Sequence, residues 1–488
     1  MEQYLMQMDR SQIWGVNIYR DFTGGENRRI FPELIAPNQV VLARNCIITP
    51  EGALESRKGK TLRTAAALPS AIRAAWRWST ANGTQYITAV AANKVYHAEW
   101  DGVAAITFGT AVKTLTSSTN KIRGKVWKDV LILSDGVNNP FKVASTGTCT
   151  DLSGSPPKFN IFTIHAGKIA AIDYANPSQL RFSGLEDYDT WNALDVYNIL
   201  NNDGTVCTGL ESQPSGLAIH KETSTWTLTG FDRFDFALST GPIAPVGAVN
   251  QDAILPGIFL GSDNFYTCSL PTVAPMKDTH GLSISNYSAS ARTAAIGCFS
   301  TDSRIGIIAV GTDVYCLNGN FQGAVTTWDN LDVTALDYAP DLGVIVMGCS
   351  DGNIYTLDND TDDNGTAFYT DIRTAYLDIG SVRQKVFRNV HHRFDVLAGG
   401  YDLYVNAVTD FGASTTLNMT TFPNLNPLEW DVEDWDLADW GDATTGRSDF
   451  IHWLHSVRGN YFSVGFKTGS RVKFLGYTVK TREAGALT

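Results

Sequence analysis

Val344-Ile-Val-Met-Gly-Cys-Ser-Asp-Gly-Asn-Ile-Tyr355 decides the fold. A β-branched apolar run leads into a Ser-Asp-Gly-Asn turn, and a second run ends on an aromatic; this is the pattern of a β-hairpin. Upstream the phrase recurs as Ile307-Ile-Ala-Val-Gly-Thr-Asp-Val-Tyr315 and Ile258-Phe-Leu-Gly-Ser-Asp-Asn-Phe-Tyr266. Before these come Leu217-Ala-Ile-His220 with Ser224-Thr-Trp-Thr-Leu228, and Ile169-Ala-Ala-Ile-Asp-Tyr174 with Gln179-Leu-Arg-Phe182. Leu131-Ile-Leu-Ser-Asp-Gly136 and Ile87-Thr-Ala-Val-Ala-Ala-Asn-Lys-Val-Tyr96 complete the series. A return about every 43 residues is the spacing of four-stranded propeller blades. The repeat predicts an all-β chain with a seven-bladed β-propeller over residues 76–365. Propellers are scaffolds, so the fold alone names no activity.

Outside the repeat, the two ends read differently. Residues 1–75 are rich in turn signals, and Lys and Arg outnumber Asp and Glu there. Such a segment is expected to be an extended arm with short strands that makes subunit contacts. Residues 366–488 alternate polar and apolar residues, as in Tyr401-Asp-Leu-Tyr-Val-Asn-Ala-Val408 and Val472-Lys-Phe-Leu-Gly-Tyr-Thr-Val479. They predict a small β-sandwich or barrel.

Composition narrows the function classes. The chain has 488 residues, 43% of them hydrophobic and only 18% charged, with a net charge of −12. An acidic balance argues against a surface that wraps nucleic acid, yet it suits a channel through which DNA slides. Seven scattered cysteines lack metal-knuckle spacing and read as reduced core residues, which fits cytosolic synthesis. The first ten residues lack the basic and apolar regions of a signal peptide, and no apolar run is long enough to span a bilayer.

Few motifs carry chemistry. Gly59-Lys-Thr61 imitates the end of a phosphate loop, but Leu54 stands where the first glycine is needed, so a turn is expected. Asp360, Asp362 and Asn364, with Asp371 at the twelfth position, match part of a calcium loop, and a solvated linker is the plainer reading. The same stretch reads Thr361-x-Asp363-x-Gly365-x-x-Phe368, similar to the structural aspartate-box turns of sialidase-like propellers. His391-His-Arg393 lies in a strand-like run that sends adjacent side chains to opposite faces, which does not make a metal site. Trp430, Trp435 and Trp440 recur every five residues among carboxylates, a spacing that fits neither helix nor strand. They read as an anchored surface loop or as a docking segment whose indoles fill partner pockets. Hydrolase, metalloprotease and dinucleotide-binding signatures do not occur, so no enzyme activity is expected.

Read in order, Asp21-Phe-Thr-Gly-Gly-Glu-Asn-Arg28, Ile35-Ala-Pro-Asn-Gln39, Ala43-Arg-Asn45 and Gly52-Ala-Leu-Glu-Ser-Arg-Lys-Gly59 form a sequence of motifs. Arg181-Phe-Ser-Gly-Leu-Glu-Asp-Tyr-Asp-Thr-Trp191, Leu217-Ala-Ile-His-Lys-Glu222 and Thr240-Gly-Pro-Ile-Ala-Pro-Val246 follow, then the acidic Trp repeat. The series resembles the tail hub or nozzle (packaged-DNA stabilisation) proteins of short-tailed bacteriophages. Glu26 departs from that pattern, in which an apolar residue follows the Gly-Gly pair. The resemblance implies a propeller subunit of a ring, a homohexamer, that continues the DNA channel at the distal end of the tail. It also implies a virion protein made in the host cytoplasm. Its partners would be a tail adaptor or tube protein, fibres or spikes, and packaged double-stranded DNA lying close without specific binding. Within that reading, Arg20, Arg28, Arg29, Arg44 and Arg57 are the expected subunit contacts. A glycan-binding or glycan-cleaving tail propeller and a fibre-adaptor subunit stay open as alternatives.

Overall fold

Each of the seven hairpin phrases becomes the middle of a four-stranded antiparallel unit. The computed structural model describes residues 15–199, 203–276, 284–321, 323–359, 362–379, 383–397, 401–410, 415–422, 447–452, 457–469 and 471–483. From the centre outward, the first blade is Ile72–Ser79, Gln85–Ala91, Lys94–Glu99 and Lys113–Thr114. The second is Arg123–Trp127, Val130–Ser134, Phe141–Val143 and Cys149–Asp151; the third is Phe159–His165, Lys168–Asp173, Gln179–Ser183 and Trp191–Asn198. Cys207–Gln213, Gly216–Lys221, Thr225–Thr229 and Ala237–Leu238 make the fourth. The fifth runs Ile254–Leu255, Ile258–Leu260, Phe265–Ser269 and Thr272–Pro275. The sixth is Ile296–Ser300, Ile305–Val310, Asp313–Asn318 and Val325–Trp328. Ala335–Ala339, Val344–Gly348 and Ile354–Asn359 begin the seventh.

The innermost strands contact one another in succession, and the seventh returns to the first, so the ring closes. Six blades are self-contained sheets, while the sixth in chain order opens a ten-stranded sheet. Second strands such as Lys168–Asp173, Gly216–Lys221 and Ile305–Val310 are buried along their whole length. Both of their faces meet a neighbouring blade, which is why their sequences are continuous apolar runs and not alternating ones.

The seventh blade takes its outer strand from the other end of the chain. Gly59–Leu62 pairs antiparallel with Ile354–Asn359, aligning Leu62 with Tyr355 and Lys60 with Leu357. The Gly-Lys-Thr segment is therefore strand and not turn. Closing the ring with a distant strand ties the two ends of the propeller without a covalent bond.

Residues before and after the propeller build two further sheets together. The ten-stranded sheet passes from Val325–Trp328 to Gln39–Arg44, then Thr370–Thr374, Phe462–Thr468, Tyr401–Thr409 and Thr415–Phe422. The other sheet orders Arg447–His452, Lys385–Val396, Val472–Glu483, Leu54–Ser56 and Cys46–Ile48, with Gly15–Tyr19 also on Val472–Glu483. A shared core joins them: Phe387 stacks on Phe462 at 4.8 Å, and Phe394 meets Phe466 edge-on at 5.1 Å. The expected sandwich is thus laced with strands from residues 1–75. No described helix is long and apolar enough to cross a membrane.

Candidate functional site

The inner strands converge on a cavity of about 320 Å³ at the propeller centre, bordered by Arg73, Lys121, Arg123, Lys125, Asp252 and Asp337. Arg123 grips Asp252 in a two-point pair, with Nε 2.7 Å from Oδ1 and Nη2 3.0 Å from Oδ2. Lys121 Nζ stands 3.7 Å from Asp252 Oδ2. Burial pushes the Asp252 carboxyl upward, but Arg123 and Lys121 outweigh it and hold the pKa below the ordinary value. Among the described residues no cation stands at contact distance from Asp337. Burial raises its pKa to about 7, opposed by the Arg77 backbone N–H that it accepts at 2.7 Å. Four cations thus face two carboxylates, one of which titrates near neutrality. Cations therefore outnumber carboxylates at the cavity border, whereas the whole chain is acidic.

On the outer rim, a rigid turn displays aromatic rings to solvent. Asp235 Oδ1 accepts the backbone N–H groups of Phe231 at 2.9 Å and Asp232 at 2.7 Å, and Asp232 Oδ1 accepts that of Phe234 at 2.7 Å. Phe231 is 69% exposed and Phe234 93% exposed. Leu194, on the outer strand of the third blade, is 74% exposed. The turn is tied to that strand by Arg233 Nε, 3.2 Å from Asp195 Oδ1, and by Tyr197 Oη donating to the Arg233 carbonyl at 3.3 Å. Fixed exposed aromatics of this kind mark contact surfaces.

The five arginines divide. Arg20, Arg28 and Arg29 are exposed, while Arg44 is partly exposed. Arg28 pairs with buried Glu26, whose carboxylate also accepts Thr327 Oγ1 at 3.2 Å. This pairing accounts for the departure at Glu26: burial raises its pKa to about 7, and Arg28 pulls it back. Arg44 Nε lies 3.5 Å from Asp329 Oδ2. Arg57 must be corrected, because its side chain is 0% exposed and cannot meet a neighbouring subunit. Its Nη1 donates to Asp363 Oδ1 at 2.9 Å, Nη2 to Asp363 Oδ2 at 2.7 Å and Nε to Asn45 Oδ1 at 3.1 Å. Its guanidinium also sits 3.9 Å from the Phe368 ring centre.

The aspartate-box residues Asp363 and Phe368 therefore serve an internal clamp. In the stretch that partly matches a calcium loop, Asp362 Oδ1 accepts the Gly365 backbone N–H at 2.5 Å and the Asn359 side-chain amide at 3.1 Å. Asn364 adopts a left-handed φ of +55°, and Asp371 lies in strand Thr370–Thr374 opposite Arg44 and Lys467. Asp360 lies outside the described residues, as do Trp430, Trp435 and Trp440. The cysteines are free thiols, all buried except the partly exposed Cys149.

One cluster had no sequence signal. Glu211, His220 and Cys268 are buried together, with one potential ligand atom from each lying within 4.8 Å of the others. They come from two blades, and separations of 9 and 48 residues match no metal spacing; only the fold joins them.

No protein-family profile matches this chain, and no curated protein matches it. Among solved structures it is similar to a computationally designed protein, Ika8, with 12% identity and a TM-score of 0.34. That match covers 62% of this chain and 100% of the designed one, and a likeness so low carries no argument about function.

Proposed function

We propose that the protein is a structural subunit of the tail of a short-tailed bacteriophage, assembling as a hub or nozzle ring that continues the DNA channel. In this reading the ring is a homohexamer made in the host cytoplasm, docked to a tail adaptor or tube and to fibres or spikes. It retains packaged DNA without specific contacts and performs no catalysis. The ordered motifs from Asp21 to Gly59 support the family reading. The observation that carries an assembly role is the rigid turn holding Phe231 and Phe234 out into solvent beside Leu194. Exposing two phenyl rings on a braced loop forgoes burial worth about 1.5–3 kcal/mol each, which a second copy of the chain would recover.

The test is the mass and shape of the purified full-length protein. A ring whose pore admits duplex DNA, roughly 20 Å across, is expected by particle imaging, together with a matching multimeric mass. Phe231→Ser combined with Phe234→Ser should weaken the ring while leaving the β-rich circular dichroism spectrum intact. A wild-type protein that stays monomeric at high concentration, or that binds surface glycans as a monomer, would overturn the proposal in favour of a glycan-directed propeller.

A further inference from the structure

The fourth and fifth blades meet around a buried polar cluster that the assembly reading does not use. Glu211 comes from the innermost strand of the fourth blade, His220 from the strand beside it, and Cys268 from the third strand of the fifth. All three are buried, His220 completely. Glu211 accepts the Gly257 backbone N–H at 2.7 Å through Oε1, and among the described residues Oε2 makes no well-formed hydrogen bond, although the Gln213 amide and the Cys268 thiol lie close enough to favour the carboxylate. His220 Nδ1 lies 3.0 Å from Thr225 Oγ1, its ring packs on Phe259 at 4.5 Å, and Nε2 has no hydrogen-bond partner among the described residues. Two buried polar atoms without a well-formed hydrogen bond beside a thiol are costly in a dry interior.

We propose that Glu211, His220 and Cys268 form a zinc site that staples the fourth blade to the fifth. The donor set favours this ion. Thiolate disfavours calcium and magnesium, carboxylate disfavours copper(I), and a mixed S, N and O set suits zinc. Ligand atoms within 4.8 Å need only a small contraction, because tetrahedral zinc spaces its ligands about 3.5 Å apart. Charge also balances: a carboxylate, a thiolate and a neutral imidazole around a dication sum to zero, which permits burial. Thr225 orients the imidazole through Nδ1 and leaves Nε2 for the metal, the usual arrangement for a ligating histidine. With three protein ligands, water takes the fourth place. The competing occupant is an ordered water alone, which could satisfy Glu211 and His220 without the thiolate.

Full-length protein, purified without a polyhistidine tag, is equilibrated with zinc and then dialysed into metal-free buffer. About one zinc per chain should remain by elemental mass spectrometry. X-ray absorption should show a single sulfur among nitrogen and oxygen neighbours, and cobalt(II) exchange should produce a thiolate-to-cobalt charge-transfer band. Cys268→Ser and His220→Gln should each lose the metal, while Cys298→Ser keeps it. If a site variant fails to fold, the wild-type absorption spectrum decides the matter. Retained zinc near zero, or a shell with no sulfur or with several, overturns the site and leaves the water in its place. None of these outcomes depends on ring formation.

Discussion

Arg57 shows what a single side chain does in this molecule. Its motif, Gly52-x-Leu54-x-x-Arg57-x-Gly59, is explained position by position. Gly52 turns the chain at φ +83°, Leu54 enters the sandwich core, Arg57 clamps Asp363, and a Cβ on Gly59 would lie 1.9 Å from the Asp362 carbonyl oxygen. Arg57→Ala leaves the Asp363 carboxylate buried without its cation and should cost about 3–5 kcal/mol, read as a large fall in Tm. Arg57→Lys should recover only part of this, because an ammonium lacks the two-point geometry. Asp337 makes the opposite case. Its folded pKa of about 7 exceeds the ordinary carboxylate value, so the native state holds the extra proton. Stability from this group is therefore full below about pH 4 and is lost as pH rises towards 7. Asp337→Asn keeps an acceptor for the Arg77 N–H and should raise Tm at pH 8 with little effect at pH 4. Because the carboxyl borders an open cavity, solvent screens part of the penalty, and about 1 kcal/mol is expected. Equal changes at both pH values would reject this role. The arginine was legible as a motif residue, but its partner was not. A burial-driven shift such as that of Asp337 depends on the blades around it and leaves no mark in the local sequence.

At the scale of elements, the clasp strand Gly59–Leu62 carries the most consequence. It continues the ladder of the seventh blade, and Arg63 extends the attachment by donating to Thr356 Oγ1 at 2.7 Å and pairing with Asp358. Removing residues 1–62 should unlatch the ring, not merely strip off an arm. Hydrogen exchange at residues 354–359 should accelerate by orders of magnitude, and Tm should fall. Unchanged protection there would show that the blade closes without its borrowed strand. The seven hairpin phrases were readable because each encodes a local turn and two adjacent strands. The borrowed strand was not, since pairing across about 300 residues leaves no period in the sequence. For the same reason the arm looked separate: Gln39–Arg44 and Leu54–Ser56 are short, and they pair with Thr370–Thr374 and Val472–Glu483 far along the chain.

Across the whole molecule, propeller and sandwich are continuous. The sixth blade runs through Gln39–Arg44 into the sandwich sheet, and the join is reinforced by buried polar contacts. Trp328 Nε1 donates to the Cys46 carbonyl at 3.0 Å, Asn318 Nδ2 to the Ile48 carbonyl at 2.6 Å, and Thr370 Oγ1 to the Asn45 carbonyl at 3.1 Å. Strand Cys46–Ile48 therefore touches both bodies, so losing either one would strip buried groups from the other. A flexible linker would let the two melt independently, whereas a shared sheet couples them. Calorimetry and tryptophan fluorescence should accordingly report one coincident unfolding transition, with calorimetric and van't Hoff enthalpies in agreement. Two transitions separated by more than about 5 °C would mean that the shared sheet parts easily, since about 1 kcal/mol moves Tm by only 2–4 °C in large domains. The proposed ring would require such rigidity, because contacts made on the outer rim by Phe231 and Phe234 would hold a pore of constant width only if the blades and the sandwich behind them move as one body.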